Sequence, residues 1–217
     1  MTDAAIEIQG EQLHLLPERA IYWERTKTLF VADVHLGKAA TFRAHRIPMP
    51  EGSMSADLAR LTKAIERTQV NKLIILGDLF HAAKGRDEQT HDLFSTWRDQ
   101  HANLDLILVR GNHDHKAGDP LEKWNIRCVD GPTAGPHFVL SHSPIEPTEG
   151  YALAGHLHPA VQLEGQAHQT IKLPCFWFTK HCAILPAFGS FIDHAIVRPE
   201  VGDKIFVVTE NQVLGVA

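Results

Sequence analysis

The sequence predicts an α/β fold, because helix and strand patterns alternate in its first half and short strand patterns follow one another in its second half. Hydrophobic residues make up 44% of the chain and charged residues 22%, which is enough for a full core and excludes a disordered or collagen-like protein. A length of 217 residues suits one α/β domain, so we expect a single domain over residues 1–217.

The first predicted elements are a hairpin, a strand and a helix. Residues 6–8 and 13–15 are short strand-like runs on either side of Gly10, which together predict a hairpin. The apolar run at residues 28–32 predicts a strand. In residues 53–68 apolar side chains recur at intervals of three and four positions, and this spacing predicts a helix with one buried face.

The next predicted elements continue the alternation and then change in character. A strand at residues 72–76, a helix at 87–100 and a strand at 104–109 give the first half the order β-α-β-α-β. After residue 120, apolar runs separated by proline and glycine predict short strands at residues 138–140, 151–154, 175–178, 183–185 and 205–208. We therefore expect an α/β core whose sheet is extended or doubled by the second half.

Composition narrows the compartment and the class of protein. The formal net charge of −5 does not suggest a general nucleic-acid-binding protein, and the first ten residues lack the apolar segment of a signal peptide. No stretch approaches the roughly 18 apolar residues of a membrane helix. The three cysteines form neither a disulfide framework nor a zinc motif. We therefore expect a cytoplasmic protein. Histidine is abundant, with 15 residues, and histidine binds metals and transfers protons near neutral pH.

Five short polar motifs, each at the end of an apolar run, carry the chemistry. They are Asp33-Val34-His35, Gly77-Asp78, Gly111-Asn112-His113-Asp114, Ser141-His142 and Gly155-His156-Leu157-His158. Each motif alone is weak, because such short patterns are common in turns and loops. Together they supply the imidazole, carboxylate and amide oxygen donors of a two-metal site, in which Asp78 can bridge two cations with its two oxygens.

In their order and spacing the motifs resemble the signature of the calcineurin-like metallophosphoesterase superfamily, over residues 29–160 approximately. The resemblance implies a two-sheet β-sandwich flanked by α-helices, with a two-metal site at the ends of the strands. It further implies that His113 is a catalytic imidazole that binds no metal. The metal ligands that it implies are Asp33, His35, Asp78 and His158 for one ion, and Asp78, Asn112, His142 and His156 for the other.

One departure from the superfamily pattern narrows the resemblance. Where its protein phosphatases have an aspartate three residues after the Gly-Asp aspartate, this chain has His81, as in the repair nucleases of the superfamily. With the segments at residues 36–38, 42–44, 47–48 and 185–191, the chain resembles the ligase-associated DNA damage response endonucleases of bacteria. This implies a phosphodiesterase and DNA endonuclease in DNA repair, with DNA as substrate, functional association with a DNA ligase and a helicase, and no membrane partner.

The position and chemistry of the remaining candidates suggest their roles. We expect His81 to assist His113 in catalysis, because its position next to Asp78 places it within reach of a bound phosphate. Mixed imidazole, carboxylate and amide donors suit Mn²⁺ best, with Fe or Zn as alternatives.

The basic and aromatic patch of Lys38, Phe42, Arg43 and Arg46 could bind DNA, preferably single-stranded, although a solvated surface is the simpler explanation for any one of these residues.

Two other functions remain open at this point. A phosphomonoesterase or nucleotide phosphatase could use the same seven ligands, and the shape of the pocket would distinguish it. A non-catalytic scaffold on the same fold is a second alternative, against which the presence of His113 argues. The nine histidines outside these motifs and His81 are assigned no role, and the cysteines are most simply explained as buried apolar residues.

Overall fold

The computed structural model describes residues 1–135, 137–164 and 169–216. In this part of the chain two β-sheets pack face to face, and helices cover the outer face of the first sheet. The two-sheet sandwich flanked by helices is therefore confirmed. His168, one of the histidines without a predicted role, lies outside the described residues.

The first sheet contains the strands of the N-terminal half in sequence order, from β1 to β7. Strands β1 to β4 pair antiparallel, and β4 to β7 pair parallel. The strands are β1 (Ala4–Ile8), β2 (Glu11–Leu16), β3 (Ala20–Trp23), β4 (Thr28–Val31), β5 (Lys72–Ile75), β6 (Asp105–Arg110) and β7 (Ile126–Asp130). The parallel strands end at one edge of the sheet, which is where polar ligand groups collect in α/β folds.

The second sheet contains the described strands of the C-terminal half, in the order β14-β11-β12-β13-β10-β9-β8, with β15 on β12 and β16 on β15. Strand β10 pairs parallel with both β9 and β13. The strands are β8 (Thr133–Ala134), β9 (Val139–Leu140), β10 (Ala152–Ala154), β11 (Pro159–Glu164), β12 (Thr170–Phe178), β13 (Cys182–Ile184), β14 (Ala195–Ile196), β15 (Lys204–Val208) and β16 (Val213–Gly215).

The α-helices in the described part of the chain connect the strands of the first sheet. They are α1 (Lys38–Ala44), α2 (Ser53–Thr68), α3 (Glu88–Gln100) and α4 (Asn112–Ala117). Helix α3 begins after Asp87, whose carboxylate accepts a hydrogen bond from the backbone N–H of Thr90 at 2.8 Å. Among the described helices, none has the length and apolar character needed to cross a membrane.

The first sheet is buried on both faces. In β4, Leu29 and Val31 pack with helices α2 and α3, whereas Phe30 packs toward the second sheet. Side chains alternate between the two faces of a strand, so the continuous apolar run of β4 serves two cores at once. Phe176 and Leu153 of the second sheet close the core between the sheets. This double burial holds the strand ends, and the polar residues that follow them, in fixed positions.

Candidate active site

The five motifs meet at one edge of the sandwich. Asp33, Asp78 and Asn112 follow the parallel strands β4, β5 and β6 of the first sheet, and His142 and His156 follow β9 and β10 of the second. The prediction that the unusual polar residues gather at strand ends agrees with this arrangement. Both sheets therefore contribute donor atoms to one site.

A first group of donors, here called the Asp33 cluster, consists of Asp33, His35 and His158, whose ligand atoms all lie within 4.8 Å of one another. Asp33 Oδ1 is 3.4 Å from His158 Nε2. Both atoms are buried without a hydrogen-bond partner among the described residues. Unpaired buried polar atoms are costly, and a shared cation would satisfy them. The donor set of this cluster therefore fits a metal ion.

A second group, the Asp78 cluster, consists of Asp78, His142 and His156, and the side-chain oxygen of Asn112 lies beside it. His142 Nε2 is 3.0 Å from Asn112 Oδ1, 3.0 Å from His156 Nδ1 and 3.4 Å from Asp78 Oδ2. Ligands at right angles on one ion at metal–ligand distances of about 2.1 Å lie about 3 Å apart. These separations therefore also fit a metal ion.

Asp78 lies between the two clusters. Its Oδ2 is 3.9 Å from His35 Nε2 and 3.4 Å from His142 Nε2, and so faces donors of both clusters. Its Oδ1 accepts a hydrogen bond from the backbone N–H of His113 at 2.9 Å. The sequence suggested that Asp78 bridges two cations with its two oxygens, and the structure places one of these oxygens, Oδ2, between donors of both clusters.

The imidazoles are oriented by backbone carbonyls. Since a carbonyl oxygen only accepts, Nδ1 of His142 donates to Leu76 at 3.0 Å, and Nδ1 of His158 donates to Asp193 at 3.1 Å. Fixing the hydrogen on Nδ1 leaves Nε2 of each ring as the donor for a metal. The carbonyl of Asp193 was not predicted, because nothing in its sequence context distinguishes it from any other backbone group.

Burial and pairing set the charge of the site. Burial lowers the pKa of His35 to about 2, so this imidazole is neutral, as a metal ligand must be. Burial opposes the charged forms of Asp78 and His142, but their mutual hydrogen bond and opposite charges outweigh it. The pKa of Asp78 falls to about 2 and that of His142 rises to about 9. The pair is therefore ionic, and a metal at His142 would displace its proton.

His113 and His81 lie beside these donors. His113 Nδ1 donates a hydrogen bond to the backbone carbonyl of His81 at 2.6 Å, and the two rings stack with centroids 4.9 Å apart. Because Nδ1 is committed to this carbonyl, Nε2 is the nitrogen of His113 that can face a substrate. Burial, together with His113 and Lys38, lowers the pKa of His81 to about 4. With His35 these two rings form a third group, the imidazole cluster, that could also hold an ion.

Asp114 is a residue of the third motif to which the sequence gave no role. Its carboxylate is buried and accepts hydrogen bonds from the backbone N–H groups of Gly111 at 2.9 Å, Asp78 at 2.7 Å and Phe80 at 3.3 Å. Burial raises the pKa of Asp114. The carboxylate ties the end of strand β5 to the start of helix α4, and thereby fixes Asp78 relative to His113. Its place in the motif was the available signal.

Most of the predicted ligands share an unusual backbone conformation. Five of the seven predicted ligands have positive φ between 50° and 70°, in the left-handed region that side chains other than glycine rarely adopt: Asp33, His35, Asp78, His156 and His158. Strain of this kind persists only where the surrounding structure imposes it, and it is concentrated at functional sites. The sequence did not reveal it, because no glycine marks these positions.

Two motif glycines allow the carboxylates to approach the backbone. A Cβ atom at Gly111 would lie 2.2 Å from Asp78 Oδ1, and one at Gly155 would lie 2.5 Å from Asp33 Oδ2. These glycines are therefore needed for close packing against the carboxylates. Asp33 Oδ2 also accepts the backbone N–H of His156 at 2.8 Å, which joins the first sheet to the second.

The predicted substrate residues separate into different environments. Lys38, Phe42 and Arg43 are in helix α1, and Lys38 and Arg43 line a cleft that also includes His35. Phe42 is half-buried and stacks on His81 with ring centroids 6.0 Å apart. Arg46 is exposed beyond the end of α1. The structure thus brings Lys38 and Arg43 together at the site.

Comparisons with known proteins agree with this geometry. A family model of calcineurin-like phosphoesterases matches residues 26–149. The crystal structure of the nuclease MPE of Pseudomonas putida is 35% identical, with a TM-score of 0.87 over 99% of this chain and 100% of that one. The E. coli phosphoesterase Yfce is 14% identical over 84% of this chain and 87% of that chain, with a TM-score of 0.38. A search of curated proteins returned no significant match.

The chain belongs to the calcineurin-like phosphoesterase family. It is therefore a metal-dependent phosphoesterase, and the donor clusters described above are able to bind divalent ions. The similarity to the Pseudomonas putida nuclease is consistent with the narrower resemblance to the ligase-associated endonucleases.

Proposed function

We propose that this protein is a phosphodiesterase that uses two divalent ions to cleave DNA internally, preferably in single strands, during DNA repair in the cytoplasm. The observation that carries the proposal is the position of Asp78 Oδ2, which faces the donors of both clusters beside His113. A site with this arrangement has places for two ions and, next to them, a proton donor.

The two ions would be held by the seven predicted ligands. Asp33, His35 and His158 hold one, Asn112, His142 and His156 hold the other, and Asp78 is shared. Bound there, two divalent ions supply Lewis acidity that activates a water molecule and polarises the phosphoryl oxygens. The mixed nitrogen and oxygen donors favour Mn²⁺, with Fe or Zn as alternatives.

His113 acts on the substrate in this proposal. Its Nε2 donates a hydrogen bond or a proton to the oxygens on which charge develops during cleavage, and a positioned acid of this kind contributes about 10² to 10⁴-fold in rate. His81 positions His113 through its carbonyl and its stacked ring, and in the proposal its own imidazole assists His113 in catalysis.

DNA as substrate is supported by two observations. The chain is similar over nearly its whole length to a protein named as a nuclease. Lys38 and Arg43 line the cleft that includes His35, where they can contact phosphates on either side of the bond that is cleaved. Arg46, exposed just beyond the end of helix α1, is proposed as a further contact. Phe42 contributes through its contact with His81. We also propose that the protein works in functional association with a DNA ligase and a helicase.

The test is an assay of the purified protein on four substrates: a small diester, a monoester, and single-stranded and duplex DNA. Each is measured with Mn²⁺, Mg²⁺ and Zn²⁺. We expect cleavage of diesters, weak activity on the monoester, a preference for unpaired DNA and the highest rates with Mn²⁺. If a monoester is hydrolysed faster than any diester, the protein is a phosphatase and not a nuclease. A complete lack of hydrolysis would support the non-catalytic scaffold.

A further inference from the structure

Phe191 combines an exposed ring with a strained backbone. Its side chain is 54% exposed. Its φ is +57°, in the left-handed region that large side chains rarely adopt. Neither feature stabilises the fold, since the ring buries little surface and the backbone is strained. Such a combination is expected where the surrounding structure holds a side chain for a function.

The chain before Phe191 is firmly anchored. The backbone N–H of Ser190 donates to the Asp57 carboxylate of helix α2 at 2.9 Å, and its hydroxyl donates to the same group at 2.6 Å. One residue earlier, the backbone N–H of Gly189 donates to the carbonyl of Asp33 at 3.0 Å. Phe191 is therefore attached to a backbone that is bonded directly to a predicted metal ligand.

The chain after Phe191 is anchored to a second predicted ligand. The carbonyl of Asp193 accepts the hydrogen bond from His158 Nδ1 at 3.1 Å, and the backbone N–H of Ala195 donates to the carbonyl of His158 at 3.1 Å. Both anchors belong to the Asp33 cluster. The backbone that carries the ring is thus anchored on both sides, before and after Phe191, to residues of the Asp33 cluster.

The surroundings of the ring suit a nucleotide. Phe191 lines the cleft that also contains His35, Lys38 and Arg43, and it lines an adjoining cleft with Arg19. A ring that borders two clefts exposes its face to a molecule lying in them. Lys38 and Arg43 of helix α1 supply positive charge that can contact the backbone of a nucleic acid. Glu51 and Asp57 also line this cleft, and the Asp57 carboxylate is paired with Arg60 at 2.7 Å.

Phe42, the aromatic residue that the sequence suggested for stacking, is less suited to this task. Its ring stacks on His81 at 24° between planes, and Lys38 Nζ lies 5.7 Å from its centroid. These contacts occupy surface that a base would need. The exposed aromatic ring at the cleft is instead that of Phe191.

We propose that Phe191 is the platform on which an unpaired nucleobase of the substrate stacks, next to the phosphate that is cleaved. This inference rests on the proposed function and adds to it the group that recognises single strands. Aromatic rings bind bases regardless of sequence, because every base has a flat face, whereas the bases of a duplex are already stacked and paired. Phe191 thereby selects unpaired DNA without selecting a sequence.

The experiment compares two oligomers of equal length and charge: a thymidine oligomer and a base-free oligomer of tetrahydrofuran residues. The readout is the ratio of their cleavage rates for the wild-type protein and for the Phe191→Gly and Phe191→Tyr variants. Glycine removes the ring and also relieves the positive φ, so this variant should fold without loss of thermal stability. Ile171→Ala is the control, because Ile171 is equally exposed, at 54%, in strand β12.

For the wild-type protein we expect the thymidine oligomer to be cleaved roughly 5- to 160-fold faster, the range that stacking of one base contributes. The ratio should fall to about one in Phe191→Gly and remain high in Phe191→Tyr and Ile171→Ala. A wild-type ratio near one, or an unchanged ratio in Phe191→Gly, would overturn the inference and leave the nuclease proposal intact. Failure of the wild-type protein to cleave either oligomer would overturn both.

Discussion

Asp78 is the residue on which the proposed sharing of two ions depends. Its Oδ2 faces donors of both clusters, while its Oδ1 is bonded to the backbone of His113. In the proposed site, Asp78 is the residue that both ions would share. Replacing the carboxylate with an amide removes the negative charge that both ions require, with little change in size.

We predict that Asp78→Asn binds the metals weakly and loses activity. Metal content measured by mass spectrometry should fall well below two ions per chain. The control is Asp105→Asn, the same change at an exposed carboxylate of strand β6, which should keep both ions. Two tightly bound ions in Asp78→Asn would exclude Asp78 as the bridge.

Replacing His113 should have a different effect from replacing a predicted metal ligand. Because its Nε2 faces substrate in the proposal, His113→Ala should retain both ions and lose at least about a hundredfold in rate, the lower end of what a positioned acid contributes. The matched control is His115→Ala, an exposed histidine in the same helix α4. If metal content fell together with activity, His113 would be a ligand in the imidazole cluster.

The sequence predicted the long elements well. Helix α2 has the predicted bounds, and β4, β5, β6 and α3 differ from prediction by one residue at one or both ends. Their apolar residues follow helix or strand periods, because each packs against a core that spans the element. This regularity is visible without knowledge of the fold.

Short elements were missed for a physical reason. Helix α4 is six residues long, and its sequence has no apolar period, because it is stabilised by Asp114 and by the ends of neighbouring strands. Strand β11 begins with a proline and is largely polar at its far end. Such elements depend on tertiary contacts, which a local pattern does not contain.

The candidate site, like the fold, was predicted only in part. The motifs identified the donor residues, because imidazoles and carboxylates after apolar runs are unusual. The left-handed backbone of Asp33 and Asp78, the hydrogen bonds of Asp114 and the position of Phe191 were not predicted, since each depends on which segments meet in space.

The glycines that precede the ligands lead to a prediction about strand ends. Gly111→Ala should displace Asp78, because the new Cβ would lie 2.2 Å from its Oδ1. We expect lower metal content and loss of activity. The control is Gly215→Ala in strand β16, where the nearest atom would be 3.5 Å away, an ordinary contact. Normal metal content and activity in Gly111→Ala would show that the close approach is unimportant.

On the scale of the whole molecule, the proposed binding of DNA must be compatible with an acidic chain. The formal net charge is −5, but the four positive charges of two divalent ions would bring it close to zero and concentrate the positive charge at the site. Lys38 and Arg43 add two positive charges to the neighbouring cleft, which Glu51 and Asp57 also line. The acidic net charge is therefore compatible with the proposed DNA substrate.

Replacing Arg43 tests whether the substrate extends beyond the metal ions. Arg43→Ala should lower the ratio of DNA cleavage to cleavage of a small diester, because only the polymer reaches along the cleft. DNA cleavage should also become less sensitive to salt, since fewer counterions are released. Arg127→Ala, at an exposed position of strand β7, serves as control. An equal loss on both substrates would assign Arg43 to the chemistry or to the fold.

The most direct test of the two-metal site is the anomalous scattering of crystals grown with Mn²⁺, measured at the manganese absorption edge. The structure predicts two peaks per chain, one bonded to the Asp33 cluster and one to the Asp78 cluster with Asn112, with Asp78 bonded to both ions. A single peak, or a peak bonded to His113 in the imidazole cluster, would contradict the account.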